Sequence, residues 1–205
     1  MLQDHNIKTF LEQTASGSPV PGGGSIAALS AALGAALSEM VANLTIGKKG
    51  YESSEEEMKI IAEKASVLRE KLARDIDRDA DAYNEVMQAF KLPKGNEEEK
   101  AERKKAIQEG LKTAALVPLD VAKDAAIIMD MAEKVVRDGN KNAVTDGVVA
   151  AMMSRTAALA AICNVKVNLK EIEDKGFVKD ISAKTEQTEN EIRKKEKEIR
   201  FAAQI

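Results

Sequence analysis

Pro21-Gly22-Gly23-Gly24-Ser25 runs straight into Ile26-Ala27-Ala28-Leu29-Ser30-Ala31-Ala32-Leu33-Gly34-Ala35-Ala36. The second half of this stretch decides the fold. Small residues recur four apart, as Ala27, Ala31, Ala35 and as Ala28, Ala32, Ala36, so they stack in rows on a helix surface. Such rows let neighbouring helices approach closely, and a helix apolar nearly all round must be buried on several sides. The pattern predicts a buried helix from Ser25 to about Ile46, interrupted by Glu39 and Asn43, and not a membrane span. In a chain of 205 residues one of those buried sides can be a second subunit. The first half of the stretch is a loop. Pro19 and Pro21 stop any preceding helix, three glycines open backbone conformations closed to other residues, and Ser25 stands where a helix N-cap belongs. Amides at the positive end of a helix suit an anion or a planar polar ligand. The glycines can equally serve a close crossing of two elements. No Gly-Lys-Ser/Thr follows, which excludes a P-loop, and no apolar strand or GxGxxG spacing marks a dinucleotide site.

The rest of the chain also reads as helices. Asp4 to Thr14 is a short amphipathic helix with Ile7, Phe10 and Leu11 on one face. Ser54 with Glu57 forms a capping box for a long helix to about Phe90. Leu92-Pro93-Lys94-Gly95 ends it. Asn96 caps the next helix, whose first turn carries Glu97, Glu98 and Glu99, the sign the dipole favours. It runs to Leu116, where Pro118 kinks or restarts it, and apolar periodicity continues to Val136. Ala143 to about Leu169 is a second alanine-rich buried helix. Asp174-Lys175-Gly176 is a break, and the charged segment after it carries a thin stripe at Ile181, Thr188, Ile192 and Ile199. No segment alternates as a strand would. The expectation is an all-α fold: a single domain over residues 1–205, a bundle of five or six helices, with a charged edge helix at about 180–203.

Composition narrows the function classes. Hydrophobic residues make up 44% but aromatics only 3%, so the core must be built from Ala, Leu, Ile, Val and Met, the vocabulary of packed helices. A formal net charge of -3 argues against a nucleic-acid partner. The lone Cys163 allows no internal disulfide and no Cys-based zinc site, which fits a cytoplasmic protein. Met1 to His5 lack the basic and apolar regions of a signal peptide, and no membrane association is expected. His5 is the only histidine, so a His-dependent triad or His-ligated metal is not expected.

One position in the long third helix stands out. Its apolar stripe reads Ile61, Ala65, Leu68, Leu72, Ile76, then Tyr83, Val86/Met87 and Phe90, in steps of three or four. The missing member is Asp79, an acid at a core-facing position. Asp77 and Asp81 belong to the opposite, solvated face, and Asp75 lies one turn back where it can act on Asp79 as a like charge. A carboxylate among apolar neighbours is costly unless hydrogen-bonded, and burial raises its pKa towards the range of a proton shuttle. A buried acid satisfied by a structural hydrogen bond accounts for the same pattern. Asp146 similarly begins an apolar run, after Gly139-Asn140. Asn164 and Asn168, four apart at the far end of that helix, can cap neighbours or read a ligand's donors and acceptors. Lys48, Lys49, Lys91, Lys94 and Arg103 lie near helix ends, where a polyanionic ligand tail could use some of them.

Several pieces occur together in a telling order: Pro21-Gly22-Gly23-Gly24-Ser25 with its Ala-rich helix, Leu44-Thr45-Ile46-Gly47-Lys48-Lys49, Asp77-Arg78-Asp79-Ala80-Asp81-Ala82-Tyr83, Lys91-Leu92-Pro93-Lys94, Val117-Pro118-Leu119, Gly139-Asn140 with Thr145-Asp146, and Asn164-Val165-Lys166-Val167-Asn168-Leu169. From Asp4 to about Phe177 the chain resembles the cyclodeaminase/cyclohydrolase family of folate enzymes. That family includes the C-terminal half of formiminotransferase-cyclodeaminase and stand-alone methenyltetrahydrofolate cyclohydrolases. The resemblance implies a helical bundle that forms a homodimer, with the active site near the subunit contact, and a tetrahydrofolate derivative as substrate with no further cofactor and no metal. The family's catalytic aspartate falls on Asp79. Substrate-binding positions are assigned to Pro21, Gly22, Gly23, Gly24, Ser25, Lys48, Lys49, Asn140, Asp146, Asn164 and Asn168. The expected activity is formiminotetrahydrofolate cyclodeamination, with methenyltetrahydrofolate cyclohydrolysis as the alternative. A non-catalytic folate-binding helical dimer, or a subunit serving a separate formiminotransferase, is the alternative of another class.

Overall fold

The computed structural model describes residues 1–203. Six helices are present among them: α1 (Ile7–Thr14), α2 (Gly23–Asn43), α3 (Glu55–Phe90), α4 (Glu97–Asp138), α5 (Val144–Leu169) and α6 (Lys175–Ala203). No strand occurs among the described residues, in keeping with the all-α expectation.

Helix α2 is the hub, packed on α3, α5 and α4. Its alanine rows do the work the sequence suggests: Ala27, Ala28, Ala31, Ala32 and Ala35 are all buried. At Gly34 an added Cβ would run into the Ser154 side chain and close on the Ala150 carbonyl, so only glycine lets α2 and α5 cross this tightly. The two helices run antiparallel, with Gly23 beside Asn164 at one end and Thr45 bonded to the Asn140 amide at the other. By length and composition both could cross a membrane; here they form the middle of the bundle. Buried hydroxyls of Ser30, Ser38, Thr45 and Ser154 donate to carbonyls four residues back, which satisfies them inside apolar surroundings.

The interior divides into two apolar clusters. The larger includes Ile61, Leu72 and Ile76 of α3, Val121 to Val136 of α4, and Ile162 of α5. The smaller gathers Val86 of α3, Leu111, Ala115 and Leu119 of α4, Val165 and Leu169 of α5, and Ile181 of α6. Along α3 the seam between the clusters falls between Ile76 and Val86. The acid that interrupts the apolar stripe therefore marks the place where one core ends and the next begins.

Several local expectations are corrected. The first turn of α2 starts two residues early, capped by Gly22, and Ser25 is fully buried inside it. Ser54 makes no side-chain cap, since its backbone is already helical and not extended, and Glu57 pairs instead with Lys134 of α4 at 2.5 Å. Asp77 is not solvated: it accepts from the Leu2 and Gln3 amides at 2.6 and 3.2 Å and so ties the N-terminal turn to α3. Asp75 faces α4, where Lys71 at 2.7 Å and Arg78 at 3.5 Å compensate it and Lys71 also reaches Asp124 at 2.6 Å. Its charge is thus spent on the α3–α4 contact and not on Asp79. In α1 only Phe10 is buried, and Ile7 and Leu11 stay exposed. Gly176 lies within α6, whose start is capped by Asp174 accepting from the Phe177 amide at 3.0 Å. The stripe Ile181, Thr188, Ile192 and Ile199 is buried as expected.

Pro118 neither breaks nor restarts α4, which is continuous from Glu97 to Asp138. A proline removes the N–H that would bond the carbonyl four residues back, here Ala114. The Asn168 side chain supplies the missing donor, Nδ2 lying 2.7 Å from the Ala114 oxygen. Asn168→Ala should cost about 1–2 kcal/mol of stability by stranding that carbonyl. In a Pro118→Ala background, where the backbone N–H is restored, the same change should cost close to nothing. Denaturant titration of the four proteins of the cycle reads the coupling, and simple additivity would refute it.

Candidate active site

At the seam between the cores lies a cleft of about 370 Å³. Three elements build most of it, and α4 adds Ala114. The glycine loop and first turn of α2 contribute Val20, Gly22, Gly23 and Gly24; α3 contributes Asp79, Tyr83, Met87 and Phe90; α5 contributes Asn164, Val167 and Asn168. Asp79 is the only acid or base along this lining apart from the Tyr83 phenol.

Asp79 is half-buried, with its carboxyl seated on the backbone of Gly24. A Cβ at Gly24 would overlap all three carboxyl atoms, so the glycine is there to let the acid reach the α2 N-terminus. Burial raises the Asp79 pKa above the ordinary carboxylate value, while the Ser25 hydroxyl and the Ser25 backbone amide pull it back only in part. The Ser25 Oγ lies 3.2 Å from Asp79 Oδ2 and 2.9 Å from the Ile76 carbonyl oxygen. A carboxyl group raised in this way keeps its proton to higher pH than an exposed one, the direction a proton shuttle needs.

The opposite wall is polar and fixed. Asn164 Nδ2 donates to the Ala160 carbonyl at 2.9 Å, and Asn168 Nδ2 to Ala114. Each amide nitrogen is turned to a backbone oxygen, and each side chain keeps its Oδ1 as an acceptor and a second N–H as a donor. Tyr83, Met87 and Phe90 form the apolar wall and are 38%, 38% and 46% exposed. The periodicity names them as core, but after Asp79 the stripe splits: Val86 stays buried in the smaller core while Tyr83, Met87 and Phe90 open onto the cleft. Composition held a clue, since the chain has only four Phe and two Tyr, and Tyr83 and Phe90 share this one cleft. Arg103, one candidate for a ligand's anionic tail, is engaged elsewhere. Its Nε and Nη2 donate to the Phe90 carbonyl at 3.2 and 3.1 Å, and its guanidinium lies over the Phe90 ring.

The remaining candidates separate into two groups. Gly22, Gly23, Gly24, Asn164 and Asn168 meet Asp79 at the cleft, with Ser25 directly behind it and Pro21 buried beneath the loop. Lys48, Lys49, Asn140 and Asp146 lie at the other end of the α2–α5 pair. Asp146 and Asn164 stand at opposite ends of α5, roughly 27 Å apart at ~1.5 Å per residue. Lys48 and Lys49 are exposed. Asn140 is buried and holds the turn before α5 against the end of α2, donating from Nδ2 to the Leu44 carbonyl at 3.2 Å.

The model of one family, formiminotransferase-cyclodeaminase, matches residues 6–187. The chain belongs to that family. Among its members, the methenyltetrahydrofolate cyclohydrolase of Methylorubrum extorquens is 44% identical over 180 residues, 88% of this chain and 86% of that one. The formimidoyltransferase-cyclodeaminase of Sus scrofa is 36% identical over 171 residues, which are 83% of this chain but 32% of the pig protein. The chain thus spans about a third of that animal relative. The crystal structure of formiminotetrahydrofolate cyclodeaminase from Thermotoga maritima superposes with a TM-score of 0.89 at 34% identity, covering 100% of this chain and 98% of the other. The helical fold of that structure is thus shared across the described residues of this chain.

Proposed function

We propose that this member of the family closes the one-carbon bridge of tetrahydrofolate, releasing ammonia from 5-formiminotetrahydrofolate to form 5,10-methenyltetrahydrofolate, with Asp79 as the proton shuttle. The observation that carries the reading is the Asp79 carboxyl, held half-buried over Gly24 in a cleft that combines an apolar wall with the side chains of Asn164 and Asn168. A reduced pterin has an apolar face for Tyr83 and Phe90 and N–H donors for Asn164 and Asn168. Substrate geometry supplies proximity, because N5 and N10 belong to one molecule. N10 attacks the carbon of the protonated formimino group, whose nitrogen carries two hydrogens, and gives a tetrahedral centre. Asp79 takes the proton from N10 and passes it to the departing nitrogen. Ammonia leaves as the N5 lone pair re-forms the C–N double bond.

The whole-length match to a stand-alone cyclohydrolase at 44% identity favours a second reading at the same cleft. Water adds to the methenyl carbon while Asp79 accepts its proton. The bond to N5 then breaks as the hydroxyl becomes the formyl C=O; N5 takes the hydroxyl proton, the proton on Asp79 passes to solvent, and 10-formyltetrahydrofolate leaves. Both reactions share the tetrahedral carbon between N5 and N10, so one pocket suits either.

The homodimer is part of the same proposal. Large apolar side chains stand exposed along α2 and its C-cap (Leu33, Met40, Leu44) and along α5 (Val149, Met152, Val167). A second chain laid antiparallel over this pair would carry its Lys48, Lys49 and Asp146 towards the Asp79 cleft. That supports a shared site in which the partner's cations face the folate glutamate tail, with cytoplasmic folates as substrates and a formiminotransferase as the enzyme upstream. The test supplies purified protein with 5-formimino- and 5,10-methenyltetrahydrofolate in turn, and follows ammonia and methenyl absorbance. Ammonia release identifies the cyclodeaminase; methenyl loss alone identifies the cyclohydrolase; folate binding without either defeats the enzymatic reading. Sedimentation at the mass of one 22.1 kDa chain would defeat the dimer.

A further inference from the structure

Ser25 is fully buried and does not line the cleft, so it cannot touch a ligand there. It does touch Asp79. Its hydroxyl has one proton and two acceptors in reach, Asp79 Oδ2 at 3.2 Å and the Ile76 carbonyl at 2.9 Å. It can donate to only one at a time. We infer that Ser25 is a positioning residue whose buried hydroxyl follows the charge of Asp79, donating to the carboxylate when it is charged and to the Ile76 carbonyl when Asp79 holds a proton.

The geometry makes both states complete. With Asp79 charged, the Ser25 O–H points at Oδ2. With Asp79 protonated, the Ser25 proton turns to Ile76 and the Ser25 oxygen accepts the acid's O–H. No heavy atom need move and no buried group loses its partner in either state. A proton can then arrive and leave without the carboxyl swinging off Gly24, as preorganised catalysis requires. Few other groups compete for control. From α2 only backbone amides and Ser25 face the acid, from α5 only the Asn164 and Asn168 amides, and from α4 only Ala114 lines the cleft. On α3 itself, Tyr83 is the one titratable neighbour in the cleft. Asp75, a turn back, is bound to Lys71 and Arg78 on the side of Asp120 and Asp124. Burial and the Ser25 contacts act on Asp79 in opposite directions, so removing the hydroxyl should leave burial unopposed on that side.

The inference rests on the reading of Asp79 as proton shuttle, and its test is arranged to stand apart from turnover. In protein labelled with ¹³C at the aspartate carboxyls, the Asp79 signal is the one missing from Asp79→Asn. Ser25→Ala should move the midpoint of its titration up by about one pH unit, the effect of losing one hydrogen bond to a charged group. Ser25→Thr, which keeps the hydroxyl, should restore it, with thermal melts confirming that each variant is folded. The acid limb of turnover should move with the titration, at unchanged KM. An unmoved Asp79 titration in folded Ser25→Ala overturns the inference, as does a raised KM with an unmoved pH profile. Absent folate turnover in the unmodified protein sinks the functional reading instead, and the carboxyl titration still decides the role of Ser25.

Discussion

Asp79→Asn should lower turnover by roughly 10²–10⁴-fold, the usual contribution of a positioned proton donor and acceptor, while KM changes little. The amide is nearly isosteric, keeps an oxygen for Ser25 and still fits over Gly24, so fold and helix content should persist. Stability should move the other way. Asp79 has a folded-state pKa above its unfolded value, because burial disfavours the charged form. The folded state therefore holds its proton to higher pH than the unfolded chain does. Ionisation costs stability as pH rises from the unfolded to the folded pKa, and that cost is fully present above both. Asp79→Asn should thus melt higher than the parent at neutral pH, and this advantage should shrink as pH falls through the folded pKa of Asp79. Turnover near the parental rate would remove Asp79 from the mechanism. A melting advantage that grows on acidification would contradict the burial argument.

Gly24→Ala should reduce turnover by about 10–100-fold with little loss of stability. The new methyl group would occupy the space of the Asp79 carboxyl. A carboxyl at the end of a two-torsion side chain can swing aside at small cost, and Ala gains up to ~1 kcal/mol over Gly in a helix. What is lost is position. Displaced from Gly24, the acid loses the Ser25 hydroxyl and its aim into the cleft, and misplacement by about an ångström costs on the order of 10² in rate. Comparing kcat with the thermal midpoint tests this. A variant as active as the parent would show that the carboxyl works from elsewhere, and one that fails to fold would show that Gly24 serves packing alone.

Helix content, the buried alanine rows of α2, the Asn96 cap and the buried stripe of α6 were all legible in the chain, because each is a local pattern of period 3.6 or a local hydrogen bond. Asp79 was legible as an interruption of such a pattern. The resemblance to folate enzymes added the chemistry, and the family comparisons agree with it. Where local reasoning failed, the missing fact was always a neighbour distant in sequence. Pro118 reads as a kink or a restart because its rescuer, Asn168, belongs to another helix. Ser25 looked like a cap because Ile76 and Asp79, its true partners, lie a full helix away. Tyr83 and Phe90 looked like core because periodicity names a face without saying whether anything covers it.

By itself, then, the sequence determined five or six amphipathic or apolar helices and one acid out of place among them, since helix periodicity and propensity act over a few residues. Only the tertiary structure decided that two separate cores meet at that acid, that a glycine turn seats it, and that Asn164 and Asn168 face it while Lys48, Lys49, Asn140 and Asp146 do not. Those are matters of how antiparallel helices register against one another. That register is set by side-chain packing summed over the whole bundle, which no local stretch contains.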